Sequence, residues 1–240
     1  MNVRSNVFVT RRRYKRIAGS SHQHAPRKMK PNRRQYDDKL SAILSAAACV
    51  FAEKGYHNAS IRDIARASGV SLSGLYYYFD SKEEALFLIQ DRAFETLLTQ
   101  LEEKLADVTD PAERLYVLVE NQLNYFIANM AEMKVLSHEA RSLGGDYLNQ
   151  VNSRKKRVTE IGTSILRDLR PDSQLDERVA TFALFGMMNW LYNWYRPEND
   201  VDPITLVEQM TSIFINGYLG ATEAAVSGQG DGAFRGARSF

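Results

Sequence analysis

Residues 61–79 read Ile-Arg-Asp-Ile-Ala-Arg-Ala-Ser-Gly-Val-Ser-Leu-Ser-Gly-Leu-Tyr-Tyr-Tyr-Phe. Ser60, just ahead of this stretch, is a good helix N-cap, and Asp63 completes a capping-box spacing with it. Ile61, Ile64 and Ala65 then share one apolar face of a helix that ends at Gly69. Ser71 caps a following helix predicted to reach Tyr78. Ala65 is small where two helices must cross, and Gly69 accepts the positive φ of a tight turn. Val70 and Leu75 pin the second helix onto the first, with Ile64 beneath. These constraints fall between independently delimited helices, so the spacing predicts a helix-turn-helix.

Helical signals continue on both sides. Upstream, Leu40, Ile43, Leu44, Ala47 and Phe51 form one stripe, with Asp37 and Asp38 at its start and Gly55 as its stop. Downstream, Ser81 and Glu84 form a second capping box before a long helix carrying Leu86, Ile89, Ala93, Leu97, Leu101 and Leu105. Asp110-Pro111 opens a helix to Met130, and a short helix follows, ending at Gly144-Gly145. Further helices are predicted from Asp146 to Leu169, from Asp176 to Tyr195 and from Asp202 to Ala224. No stretch alternates with period two and no repeat is present, so the predicted fold class is all-α: an N-terminal three-helix helix-turn-helix domain over 36–85 and a C-terminal helical bundle over 86–225. A basic arm (1–35) and a Gly/Ser-rich tail (226–240) flank them, both predicted to be disordered.

Composition narrows the function classes. The 240 residues are 44% hydrophobic and 25% charged, as in soluble globular proteins, and no apolar run reaches the roughly 18 residues that cross a bilayer. One cysteine, Cys49, rules out an internal disulfide framework and is read as core packing. Eleven of the 31 Lys/Arg lie in residues 1–35, which hold no acid; the rest of the chain carries 20 bases against 29 acids. Such an arm fits phosphate binding with counterion release. Two other readings stay open: a transit peptide, or a true start at Met29. No phosphate-binding loop, metal-ligand spacing or nucleophile motif occurs, and His57 and His138 stand alone. The chain is therefore expected to have no catalytic residue, metal or cofactor; a helical enzyme is the rival class.

Residues 36–90 resemble the DNA-binding domain of the tetracycline-repressor (TetR) family. The matching motifs are Phe-Ala-Glu-Lys-Gly-Tyr (51–56), Ser-Ile-Arg-Asp-Ile-Ala (60–65), Gly-Val-Ser (69–71), Leu-Tyr-Tyr-Tyr-Phe (75–79) and Ser-Lys-Glu-Glu (81–84). The resemblance implies a cytoplasmic homodimer, without membrane contact, whose recognition helices enter successive major grooves of a palindromic double-stranded operator. It implies phosphate contacts at the capping residues Ser60 and Ser71, core roles for Leu75 and Phe79, and a DNA-facing surface of Leu72, Ser73, Gly74, Tyr76 and Tyr77. Gly74 would allow close approach to DNA, and Leu72 would meet a thymine methyl. Tyr78, also a DNA-binding candidate, stands where the family most often has histidine and either reaches a phosphate or packs; Lys82 matches a phosphate-clamping lysine. Two features depart from the pattern. Leu72 replaces a polar residue, and the recognition helix holds no Arg or Lys for a bidentate guanine contact.

The second half is rich in Met and aromatic residues, expected to form core, dimer interface and part of a pocket. Gly186-Met-Met-Asn-Trp-Leu-Tyr-Asn-Trp-Tyr-Arg-Pro197 resembles a stretch of TetR-family regulators that respond to acyl-coenzyme A thioesters of fatty-acid, aromatic-acid or steroid breakdown. The candidate effector-binding residues are Tyr125, Met130, Arg154, Arg157, Phe185, Asn189, Trp190 and Trp194, with Gly186 and Gly217 at the dimer interface. Within Arg154-Lys-Lys-Arg157, at most two consecutive side chains can face one ligand. A hydrophobic drug, as in efflux-pump regulators, is the alternative effector.

Overall fold

In the computed structural model, residues 33–139, 141–172 and 175–221 are described, and all regular structure among them is helical. The helices are α1 (Arg33–Lys54), α2 (Ile61–Ser68), α3 (Leu72–Leu75), α4 (Lys82–Leu105), α5 (Pro111–Ala128), α6 (Met130–His138), α7 (Gly145–Leu169), α8 (Glu177–Asn189), α9 (Leu191–Trp194) and α10 (Pro203–Gly220). The basic segment before residue 33 and the tail beyond residue 221 lie outside the described residues, while Arg33 and Arg34, assigned above to the arm, open α1.

Caps set most of the boundaries. Ser60 and Asp63 exchange both capping-box bonds, Asp63 N donating to Ser60 Oγ at 3.2 Å and Ser60 N to Asp63 Oδ2 at 3.0 Å. Asp110, Asp176 and Asp202 cap α5, α8 and α10 with their carboxylates, as their sequence positions predict.

Two hydrophobic cores share one long helix. Ile43, Ala47 and Phe51 of α1, Ile64 of α2, Leu75 of α3 and Phe79 form the N-terminal core together with Leu86 and Ile89 of α4. Farther along α4, Leu97, Leu101 and Leu105 belong to the second core, with Leu115, Leu118 and Leu123 of α5, Ile165 of α7 and Met188 of α8. The boundary predicted at residue 85 therefore falls inside a continuous helix. The N-terminal core also takes in Val135, Leu143 and Val151, from α6, the loop after it and α7, so the two halves are packed together. A rigid rod through both cores can transmit displacement from one to the other.

Seven sequence expectations need correction. Asp37 and Asp38 lie inside α1, which opens at Arg33 with no acid in its first turn. Ser81 caps α4, but the Glu84 carboxylate accepts Asp80 N instead of closing a box on Ser81. The α-helix opened by Ser71 stops at Leu75, because Tyr77 N and Tyr78 N turn back to Gly74 O and Leu75 O in tighter i→i−3 bonds. The helix expected to end at Gly144-Gly145 stops at His138, where Glu139 caps it and turns its side chain to other partners. The helix expected from Asp176 to Tyr195 breaks at Trp190 into α8 and α9, and Tyr195, fully buried, donates its hydroxyl to Val201 O at 2.9 Å. The last helix ends at Gly220, short of Ala224. Cys49 is exposed on the outer side of α1, so its apolar sequence neighbours misled; Ala47, Ala48 and Val50 are buried while the helix turns residue 49 to solvent.

Candidate functional site

The DNA-facing candidate surface follows from the α2–α3 corner. Gly69 caps α2 with φ 64° and ψ 21°, a left-handed conformation that side chains disfavour. Ser71 then accepts Gly74 N at 3.1 Å and opens α3. Leu75 and Phe79 are buried, which turns Leu72, Ser73, Tyr76 and Tyr77 outward on the opposite face. Leu72 is 39% exposed, Tyr76 50% and Tyr77 63%, large side chains that the described residues leave open to solvent over much of their surface.

Three tyrosines form a cluster beside that face. Tyr78 is half-buried and stacks on Tyr36 of α1 with ring centroids 5.0 Å apart, while Tyr77 meets both edge-on. Tyr78 thus packs its ring on α1, and Tyr36 is a neighbour of this face that sequence reading missed; it lies before the apolar stripe of α1 and carries no motif of its own.

Gly74 has an intramolecular reason. A Cβ there would lie 2.8 Å from Val70 Cγ1 and 3.1 Å from Ser71 Oγ, so glycine lets α3 close onto the turn. Lys82 is likewise committed inward. Its Nζ donates to Tyr56 O at 2.7 Å, Ala59 O at 2.9 Å and His57 O at 3.2 Å, and sits 4.4 Å from the Tyr56 ring centroid. All three ammonium donors point to carbonyls of the loop between α1 and α2. At Ser60 the hydroxyl donates to Asp63 Oδ2 at 2.6 Å, and Asp63 also takes the Lys54 ammonium at 2.6 Å. Those bonds, the one from Lys54 first and those from Ser60 next, hold the Asp63 carboxyl well below the usual carboxylate range.

The second half contains a cavity of about 530 Å³ walled by α4, α5, α6, α7, α8 and α9, a size suited to a drug-sized molecule. Phe94, Phe126, Met133, Phe182 and Phe185 supply much of its apolar wall, and Gln122, Asn189 and Lys155 its polar points. Gly162 is what lets Phe185 lie flat on α7: a Cβ there would be 3.1 Å from Phe185 Cε2. Of the residues predicted to bind effector, Phe185, Asn189 and Trp190 line this cavity.

The others go elsewhere. Tyr125 is on the far side of α5, in a polar cleft between α1, α4, α5 and α6, and donates to Glu132 Oε2 at 2.8 Å. Burial, with the nearby Glu132 carboxylate second, raises the Tyr125 hydroxyl above its ordinary pKa. Met130 packs against the second core, and Trp194 of α9 is half-exposed, edge-on to Tyr195. Arg154 is tied to Asp91 at 2.5 Å and Arg157 to Glu102 at 3.2 Å. The inward-facing member of the basic run is Lys155, and a signal for it existed: it falls on the stripe Val151, Val158, Gly162, Ile165 of α7, where an apolar residue is expected.

Between the cavity and the N-terminal core lies a polar linkage. Glu139, just past α6, accepts Tyr56 N at 3.1 Å and Ser142 Oγ at 2.6 Å, and Gln90 of α4 donates to Glu139 O at 3.1 Å. Because α6 also supplies Met133 and Leu136 to the cavity wall, one helix touches both places.

Two glycines predicted at the dimer interface, Gly186 and Gly217, are exposed, and a Cβ on either would meet nothing within 4 Å. Exposed apolar residues lie on the same elements: Val179 and Phe182 on α8, Trp190 just after it, and Ile213 on α10. Among the described residues no group of His, Cys, Asp and Glu is arranged to hold a metal ion, and no helix is long and apolar enough to cross a membrane.

Comparison with known proteins fits this architecture at both ends. Residues 43–88 match the family model of bacterial regulatory proteins of the tetR family, and residues 108–218 match that of the tetracyclin repressor-like C-terminal domain. The transcriptional repressor KstR2 of Rhodococcus jostii is 29% identical over 188 residues, covering 75% of this chain and 90% of KstR2. Among solved structures, a TetR-family transcriptional regulator from Bordetella parapertussis is 31% identical, with a TM-score of 0.72 over 78% of this chain and 99% of that one. The fold is also that of AibR, solved with isovaleryl coenzyme A and operator DNA (24% identical, TM-score 0.66, 73% of this chain and 97% of AibR). With the helix-turn-helix at one end of α4, a helical bundle at the other and relatives that span nearly their whole length, the chain belongs to the TetR family of transcriptional regulators, a DNA-binding class rather than an enzymatic one.

Proposed function

We propose that this regulator is a cytoplasmic homodimeric repressor that releases a palindromic operator when an acyl-coenzyme A thioester occupies the cavity of the C-terminal bundle. The observation that carries the reading is the pairing of an outward face of Leu72, Ser73, Tyr76 and Tyr77 with a cavity that shares α4 and α6 with it. Leu72 offers a methyl-lined contact to thymine, and the tyrosine hydroxyls reach phosphate or base edges in the major groove. With no cation in α3, much of the phosphate attraction comes from the Arg/Lys of residues 1–35.

Support for the effector class is the Gly186–Pro197 stretch, of which Gly186, Asn189, Trp190 and Tyr192 line the cavity, together with the isovaleryl coenzyme A bound by AibR. Support for the dimer is the uncovered apolar face of α8 and α10, where two glycines let a partner helix approach closely. A partner seated there would roof the cavity, since Phe182, Gly186 and Trp190 belong to both surfaces. Effector binding would then displace α6 and α4 and alter the spacing of the recognition helices from the roughly 34–36 Å of successive major grooves.

Electrophoretic shift with DNA from upstream of the chain's own coding region tests the regulator. Titration of that complex with acyl-coenzyme A thioesters and with the free acids tests the effector; release by free acids or drugs alone refutes the thioester. For the arm, the slope of log affinity against log salt should be shallower for a chain shortened to begin at Met29, and equal slopes remove the arm from the account.

A further inference from the structure

Four consecutive cations lie on α7, and the structure separates one from the rest. Arg154 is paired with Asp91 and Glu95, Lys156 with Glu160, and Arg157 with Glu102. Lys155 has no carboxylate partner among the described residues. Its side chain enters the cavity wall, with Nζ 5.3 Å from the centroid of the Phe94 ring.

Among the described residues, the cavity lining holds this one cation and no acid. Its remaining polar groups are neutral; Gln122 Nε2 faces Asn189 Oδ1 at 3.5 Å, and Thr159 Oγ1 is spent on Lys155 O at 2.9 Å. A cation on an aromatic wall without a counter-charge is costly, because burial removes water and supplies no anion in return. Burial accordingly lowers the pKa of the Lys155 ammonium. The ring of Phe94 offsets part of this cost, yet a quadrupole is a weaker partner than a carboxylate. What completes the site is an anion brought by the ligand.

We propose that Lys155 is the anchor for an anionic oxygen group, and that the effector is therefore an organic anion with a bulky apolar body. This rests on the cavity being the effector site. Phe126, Phe182 and Phe185 take the body while Lys155 makes a charge-assisted hydrogen bond to the head. A cationic drug meets repulsion from Lys155, and a neutral one leaves the ammonium unpaired, so the same lysine selects against both. The shared chemistry, an anion on a hydrophobic frame, has two sources: the carboxylate of a free acid or the phosphates of a coenzyme A thioester.

A matched pair of probes reads this directly. 8-Anilinonaphthalene-1-sulfonate carries an anion, and N-phenyl-1-naphthylamine is the same frame without it; both can be followed by their fluorescence and by energy transfer from Trp190. The wild-type protein should prefer the sulfonate. Lys155→Met should weaken sulfonate binding by at least about tenfold and change the neutral probe by less than about twofold, while Lys155→Arg should retain most of the preference. Equal affinity of the wild-type protein for the two probes, or undiminished sulfonate binding by Lys155→Met, overturns the assignment.

Displacement of the sulfonate then identifies the source. Decanoate displacing it assigns the carboxylate, and decanoyl-coenzyme A displacing it where decanoate does not assigns the phosphates. Methyl decanoate displacing it as well as decanoate does again overturns the anion anchor. Operator binding by the ligand-free wild-type protein is measured separately, so a failed regulator and a failed anchor give different results.

Discussion

The α2–α3 corner and the cavity of the C-terminal bundle are built by opposite rules. At the corner, each position is constrained by residues within a turn or two of it: Ser60 by Asp63, Gly69 by the end of α2, Gly74 by Val70. The cavity is assembled from six helices, and its lining spans Phe94 to Tyr192. Local rules leave a pattern in the sequence. A cavity is what remains where side chains from distant segments fail to meet, and it leaves none.

That contrast can be broken at its strongest point by truncating Leu75, which is fully buried beneath the corner. Leu75→Ala should cost about 2–5 kcal/mol and abolish operator binding, while binding of a fluorescent probe in the bundle survives. Simultaneous loss of both would show that the two cores unfold as one unit, as shared α4 and the inclusion of Val135 and Val151 in the N-terminal core would allow; calorimetry separates the cases.

Next comes Lys82. If it ties three carbonyls rather than gripping phosphate, Lys82→Met should lower stability by about 1.5–3 kcal/mol, as lost charge-assisted bonds do, and leave the salt slope of DNA binding unchanged. A shallower slope with unaltered melting would restore the phosphate contact.

The same substitution in the two regions should act with opposite sign. Gly74→Ala drives a Cβ to 2.8 Å from Val70 Cγ1 and should cost about 1–3 kcal/mol, relieved in the double variant with Val70→Ala. Gly186→Ala meets nothing in the monomer and should stabilise α8 by about 0.5–1 kcal/mol, yet weaken dimerisation in sedimentation equilibrium. An unweakened dimer would move the interface away from Gly186.

The smallest effect is a titration. The folded Asp63 carboxyl has a lowered pKa, so its ionised form favours the folded state at neutral pH, and that advantage is lost as pH falls below about 4 towards the folded value. Melting temperatures of the wild type and Asp63→Asn should differ at neutral pH and converge in acid; a constant difference would show that the Lys54 and Ser60 contacts do not act through the charge.

The amino-acid sequence by itself determined the helical class, the caps Ser60, Ser71, Ser81, Asp110, Asp176 and Asp202, the turn at Gly69 and the inward place of Ile64 and Leu75. Each follows from backbone hydrogen bonding or from a 3.6-residue period, which act over a few positions. Tertiary structure alone decided that Tyr125 faces a different cleft, that Lys82 turns inward and that the helix after Asp176 breaks at Trp190. Those outcomes depend on which carboxylate, carbonyl or ring arrives from a segment tens of residues away. No local spacing encodes that arrival.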